Sequence, residues 1–350
     1  MLVRVAALLT TLGVLIIPLC FGCGALGLED TEPHTENYTV SENAQVTLLN
    51  GDLSGDIGVE TWGKDYVEVT WTKSTSWGED ELSKADVEVT ESPGGLEIKT
   101  KLQDKNAKLS VNYDIKLPRT ALLAKVTAGD GNINITGTSG DTVIVAKFGS
   151  ISAKNTAGYM DITAEKGKIR LEGTTGGAKL TTTESPIEVV DADGDIEATN
   201  SNGGITISDC KGDMTLETYK GSINVSNLQG CVSLAKTNNA PINITGATTV
   251  GVVETSSADV VAEISSIGAS GTTITVNAGS ISLRLSNDIN ADIELKTLSG
   301  DIITHSFGGI TTSGDTAEGY LKGTVGSGGN KIYVETTKGN IDLFRLETTP

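Results

Sequence analysis

Aromatic residues make up only 4% of this 350-residue chain, and histidine occurs twice. So few rings argue against a core organised around large side chains and favour a narrow aliphatic interior. His34 and His305 stand far apart, outside any H-E-x-x-H pattern and without a cysteine at ligand spacing, so no histidine-based metal site is readable. There is no G-x-S-x-G elbow and no glycine-rich loop ending in Gly-Lys-Ser/Thr. Gly326-Ser327-Gly328-Gly329 precedes a strand pattern and not a helix, so it reads as a turn. Basic charge is short as well, with 26 Lys plus Arg against 45 Asp plus Glu and a formal net charge of -19. Such a surface repels phosphate backbones, which argues against nucleic acid as a partner. Lys166, Lys168 and Arg170 form the densest positive patch, too small to reverse that balance.

What is present is a repeat. Ile151, Met160, Ile169, Ala178, Ile187 and their successors to Val232 fall at strict intervals of nine, each followed two positions later by a second small or aliphatic residue. The residue between is polar: Ser152, Asp161, Arg170, Lys179, Glu188 and onward. Apolar, polar, apolar is the period of a strand with one buried face, and its recurrence at fixed spacing marks a solenoid. Glycines punctuate the intervals, and Pro186 and Pro241 precede Ile187 and Ile242, where a strand can begin without a donor. Nine residues cannot hold a helical crossover. Two nine-residue half-turns make the thinnest closed coil, so pairing of residues eighteen apart is favoured over twenty-seven. Ile169, Ile187, Ile205 and Ile223 should then form one inward column, facing Ala178, Ile196, Met214 and Val232.

Upstream the pattern continues through Ile133 and Ile135, then Val143 and Val145; downstream it loosens but reaches Ile341-Asp342-Leu343. The fold class is therefore all-β, a single-stranded parallel β-helix or β-solenoid of short strands with an N-terminal β cap. The expected organisation is a signal peptide at 1–22, a lipid-anchored acidic linker at 23–37, a β-rich capping region at 38–118 and the solenoid at 119–346. In the capping region Val87-Glu88-Val89 and Leu96-Glu97-Ile98 read as a hairpin around Pro93-Gly94-Gly95, and 73–84 as a long loop. A cap is physically required, because open solenoid ends expose unpaired backbone.

No charged residue occurs from Val5 through Leu28, and 5–21 is strongly apolar, which reads as an export signal. Gly22-Cys23 at its end resembles the lipobox of bacterial lipoproteins, although Cys20 and Phe21 depart from the usual small and aliphatic residues. Lipidation is expected at Cys23, with an uncleaved membrane anchor as the rival. Either places the body on the extracytoplasmic side of the cell membrane. Cys210 and Cys231 are the cysteines of the body; a disulfide between them and two free thiols are both compatible with their spacing.

The best candidate acidic constellation is Asp191, Asp193 and Asp195, with Asp209 and Asp213 about one coil later. Calcium is the only metal these residues suggest, and weakly, because no complete Ca²⁺ loop is present. No catalytic residue, metal site or cofactor is expected.

Three segments give the chain a family resemblance: Val111-Asn112-Tyr113-Asp114-Ile115-Lys116-Leu117-Pro118, the units Gly194-Asp195-Ile196 and Gly212-Asp213-Met214, and the ending from Ile293 through Ser299-Gly300-Asp301-Ile302 to Ile332-Tyr333-Val334 and Gly339-Asn340-Ile341-Asp342-Leu343. Over residues 40–346 it resembles the DUF4097 group of bacterial β-strand repeat proteins, often labelled adhesins. That resemblance implies a β-helical cell-envelope domain without established catalytic residues. The expected function is a non-enzymatic structural or adhesin-like binding module of the envelope, meeting the membrane through its N-terminus and presenting a face to an envelope polymer or protein. The alternatives are an envelope sensory or regulatory protein working with a membrane partner, and a carbohydrate-active β-helix enzyme.

Overall fold

The computed structural model describes residues 29–305, 307, 309–312 and 318–346. The expected signal peptide and Cys23 lie outside the described residues. Two long, mostly parallel sheets face each other, of 15 and 16 strands among the described residues.

The coil is eighteen residues. In the first sheet Ile151, Ile169, Ile187, Ile205 and Ile223 pair successively in register. In the second, Thr142, Met160, Ala178, Ile196 and Met214 do the same. Each nine-residue half therefore contributes one strand to one sheet, as the apolar arithmetic requires. Ile205 and Ile207 are 0% exposed while Thr206 between them is exposed, so the two-residue phase is the expected one. The core is a predominantly aliphatic seam between the sheets, continuous along the axis, with Trp71, Tyr113 and Phe307 its aromatic members.

Local chemistry explains the corners. After each strand of the first sheet from Ile133–Thr136 to Ile242–Thr245 one residue takes a left-handed conformation, with φ of 68° at Gly137, 52° at Asn155, 63° at Gly173, 53° at Asp191, 56° at Asp209, 52° at Asn227 and 66° at Gly246. Only Gly, Asn and Asp fill this column, the residues that tolerate positive φ. At the other corner coils approach so closely that a Cβ on Gly221 would stand 1.9 Å from the Gly203 carbonyl oxygen.

Three sequence expectations are corrected here. Val143 and Val145 point outward at 40% and 37% exposure, and Thr142, Ile144 and Ala146 are buried instead. Counting back nine from Ile151 reaches Thr142; hydrophobicity pulled the assignment one residue aside. In Cys231–Lys236 a bulge opposite Met214/Thr215 buries Ala235 in place of Leu234. The acidic segment expected as part of a linker is instead, over Asp30–Thr39, an antiparallel edge strand on Tyr66–Thr75. Its alternate polar side chains find specific partners there, which a hydropathy pattern does not register.

No sharp boundary falls at 118/119. Gln45–Leu49 and Ile57–Trp62 already run parallel to Leu122–Asp130 and Ile133–Thr136. The antiparallel covering comes from Asp30–Thr39, Tyr66–Thr75 and Ala85–Ser92, the last forming the expected hairpin with Gly95–Leu102. The stretch read as a loop holds the end of the Tyr66–Thr75 strand and a 3-10 turn at Glu79–Lys84.

Both ends of the stack are interleaved. The coil Gln45–Leu49/Ile57–Trp62 comes first in sequence, yet it lies inside the later coil Gly95–Leu102/Ser110–Pro118. At the far end Lys331–Lys338 inserts between Thr272–Ala278 and Ala291–Thr297, while Ile341–Arg345 inserts between Ile281–Leu285 and Ile302–Thr304.

Candidate functional site

The acidic constellation resolves into corner residues. Asp191 and Asp209 occupy the positive-φ column, and the Asp209 carboxylate accepts from Asn227 Nδ2 at 3.0 Å. Asp195 accepts the Asp213 backbone N–H at 2.8 Å, and Asp213 accepts that of Cys231 at 3.1 Å. Asp193 faces Lys211 at 3.7 Å. The carboxylates of Asp195, Asp209 and Asp213 thus serve the coil above, and that of Asp193 a neighbouring cation. Among the described residues no group of three or more His, Cys, Asp or Glu is placed to hold a metal ion.

The positive patch is neutralised by stacking. Lys166 pairs with Glu184 at 3.4 Å, Lys168 with Glu188, and Arg170 with both Glu188 and Glu172. Lys154–Glu172 at 2.7 Å and Lys179–Glu197 at 2.8 Å repeat the same one-coil step. Lys168, then Arg170, holds the Glu188 carboxyl below the usual carboxylate range. Opposite charges eighteen apart were in the sequence to be read.

Cys210 is buried and Cys231 half-buried, and no bond joins them in this structure. Cys210 lies in a buried corner, its carbonyl accepting the Gln229 N–H of the next coil at 2.9 Å. Cys231 begins a strand in a different column, above Asp213. Burial pushes the Cys210 thiol up.

The histidines pack. His34 stacks on Trp71 at 5.1 Å between centroids and bonds Glu32 at 2.9 Å. Glu32 in turn pairs with the buried Lys73 at 2.6 Å, which ties the edge strand down. His305 stacks on Phe344 at 4.2 Å and bonds Asp342 at 2.6 Å.

What the sequence reading missed is a groove. It has a volume of about 780 Å³ and crosses the outer face of the second sheet where six of its strands, from Ile196–Asn200 to Lys331–Lys338, turn toward the corner. One column of its wall is Thr199, Glu217, Lys236, Glu254, Thr275 and Glu335, joined in lateral register. The column two residues further on is Ser201, Tyr219, Asn238, Ser256, Asn277 and Thr337. Lys236 pairs with Glu254 at 2.8 Å, and Glu254 first, with Glu217 adding its field, raises the ammonium above its ordinary range.

Between the columns runs a buried spine, polar except at Val276. Asn200 Nδ2 donates to Ser185 O at 2.6 Å, Thr218 Oγ1 to Gly203 O at 3.0 Å, and Thr237 Oγ1 to Gly221 O at 3.0 Å. Thr336 Oγ1 repeats the arrangement with Gly279 O at 2.9 Å. These bonds satisfy turn carbonyls and fix the groove floor. The signal was a buried Thr or Asn recurring four or five residues after the inward position in several strands of this sheet, at Thr182, Asn200, Thr218, Thr237, Thr255 and Thr336.

Among the described residues no helix is long and apolar enough to cross a membrane. The sequence model of a family described as Toastrack DUF4097 matches residues 187–343, somewhat less than half of the chain. No curated protein matches the sequence significantly. Solved structures similar to the chain include a candidate cell adhesion protein from Clostridium sporogenes, at 9% identity, covering 90% of this chain and 100% of that one with a TM-score of 0.24. A candidate lipid binding protein from Parabacteroides distasonis shares 14% identity over 90% of this chain and 97% of its own, TM-score 0.27. A candidate adhesin from Bacteroides fragilis shares 12% over 89% and 97%, TM-score 0.23. Scores this low carry no function across.

Proposed function

We propose that the chain is a non-enzymatic binding module of the cell envelope: exported by residues 1–22, held at the membrane through lipid on Cys23, and presenting the groove of its second sheet to an extracytoplasmic partner. The groove carries this reading. It is long, rigidly floored and lined by side chains of mixed hydrogen-bonding capacity, which suits recognition of an extended ligand. No nucleophile beside a base accompanies it: its acids are Glu217, Glu254 and Glu335, its single cation Lys236, and it contains no histidine or cysteine. The acidic surface beyond keeps the rod soluble and disfavours polyanions.

The test has two arms. Fatty-acid labelling of the full chain and of Cys23→Ala should show label on the first alone; equal labelling removes the lipid anchor from the proposal. Separately, envelope fragments should retain the wild-type chain more strongly than a Tyr219→Ala, Asn238→Ala double variant. Equal retention of the two would remove the groove as the binding face.

A further inference from the structure

The groove's lining narrows the chemistry of its occupant. Its charges are three carboxylates, Glu217, Glu254 and Glu335, against the ammonium of Lys236. A polyanion meets net repulsion there. A lipid or apolar peptide would cover the hydroxyls, amides and charges that stand beside the groove's apolar surface, and burying those polar groups without hydrogen-bond partners is costly.

An extended peptide has a further difficulty. Peptides that add to sheets use free main-chain groups at an edge. These strands lie in the interior of the second sheet and are paired on both sides, so their backbone is already engaged. The ligand must be read by side chains alone.

Those side chains suit a polyhydroxylated chain. Ser201, Asn238, Ser256, Asn277 and Thr337 supply short donors and acceptors in one file, and the carboxylates of the other file accept from hydroxyl or ammonium groups. Tyr219 stands among them at 57% exposure, the one aromatic ring in the lining. A ring so placed offers a flat apolar platform with a polar rim, complementary to the C–H face of a pyranose edged by hydroxyls. Neighbouring coils repeat these groups at the strand spacing of about 4.8 Å, close to the length of one sugar ring in an extended glycan. The bonded spine of Asn200, Thr218 and Thr237 holds the files in place before any ligand arrives, which reduces the ordering cost of binding.

We propose that the groove binds a linear glycan of neutral or amino-bearing sugars, lying along the solenoid axis with about one ring per coil. The inference rests on reading the groove as a binding face and goes beyond it in naming the ligand class.

Calorimetry on the full chain in mild detergent tests it with three probes of equal length: the N-acetylglucosamine hexamer, the glucosamine hexamer and the galacturonate hexamer. At least one of the first two should bind, and galacturonate should bind about tenfold more weakly or not at all. Tyr219→Ala should weaken the bound probe roughly fivefold to tenfold with the melting temperature unchanged. Thr206→Ala, outward on the opposite sheet, should leave binding as it was. Equal or tighter binding of galacturonate overturns the proposal, as does indifference to Tyr219→Ala or failure of both of the first two probes. If those two fail while envelope fragments still retain the chain through the groove, the glycan assignment alone falls. If the fragments also fail to discriminate the groove variant, the binding-face reading falls with it.

Discussion

Asp195 accepts the backbone N–H of Asp213, eighteen residues further on, at 2.8 Å. The same eighteen-residue relation joins Asp141 to Tyr159 at 2.9 Å and Asp213 to Cys231 at 3.1 Å, and in the loosened part of the other sheet Asp259 accepts from Ser280, twenty-one residues on, at 2.8 Å. The recurring Gly-Asp-Ile unit therefore has a mechanical meaning: glycine allows the coils to approach, aspartate caps the coil above, and isoleucine enters the core.

Asp195→Ala should accordingly cost about 0.5–1.5 kcal/mol, the net worth of one such bond, and Asp195→Asn clearly less because its amide oxygen still accepts. Urea unfolding of the two variants against wild type is the check. Equal losses would mean that charge, and not acceptance, is what the position requires.

Ile205→Ala removes a wholly buried side chain from the central column and should cost about 2–5 kcal/mol through lost burial and a cavity. Thr206→Ala, exposed on the other side of the same strand, should stay within about 0.5 kcal/mol. A larger loss at Thr206 would contradict the inward phase.

Gly221→Ala should be among the most damaging single-methyl additions, since its Cβ would collide with the Gly203 carbonyl, which is held in the backbone and cannot move aside. Gly63→Ala, where a Cβ meets nothing within 4 Å, is the matched control. Thermal melts of the pair should separate widely.

Stability should fall at both ends of the pH scale. Lys168 and Arg170 lower the Glu188 carboxyl, Lys154 and Arg170 lower Glu172, and Lys331 lowers Glu294. A carboxyl depressed in the folded state stabilises above its unfolded value of about 4.3 and ceases to do so as pH drops through the folded value. Tyr113 acts in the opposite sense: burial pushes its phenol up to about 12. The unfolded phenol ionises near pH 10, so stability declines as pH rises beyond that. Melting temperatures between pH 3 and 11 test both limbs. In Glu188→Gln the acid limb should be shallower, and in Tyr113→Phe the alkaline one.

The repeat was legible because burial imposes it: an inward residue every nine positions leaves a periodic record, and doubling that period gives the pairing register seen from Ile151 to Ile223. Where the record was misread, local hydrophobicity outweighed count, as at Val143 and Val145. The groove escaped because its makers are polar. Thr218 and Thr237 look like surface residues until the turn carbonyls they serve are in view, and Tyr219 is a lone ring without a pattern. Exchange of order among the end coils is set by contacts between distant segments, which leave no local period to find.

That exchange decides how such a rod can change length. Because each terminal region threads behind a neighbour already in place, a repeat appended beyond Arg345 or before Gln45 would find no vacant coil to continue. The middle is permissive, since every coil from Ile151 to Ser208 presents the same eighteen-residue register above and below. Lineages of this architecture should therefore grow and shrink by whole eighteen-residue blocks taken from the centre. Removing 187–204 should leave a shorter folded rod, and removing 331–345 should leave none, a contrast that circular dichroism would read directly.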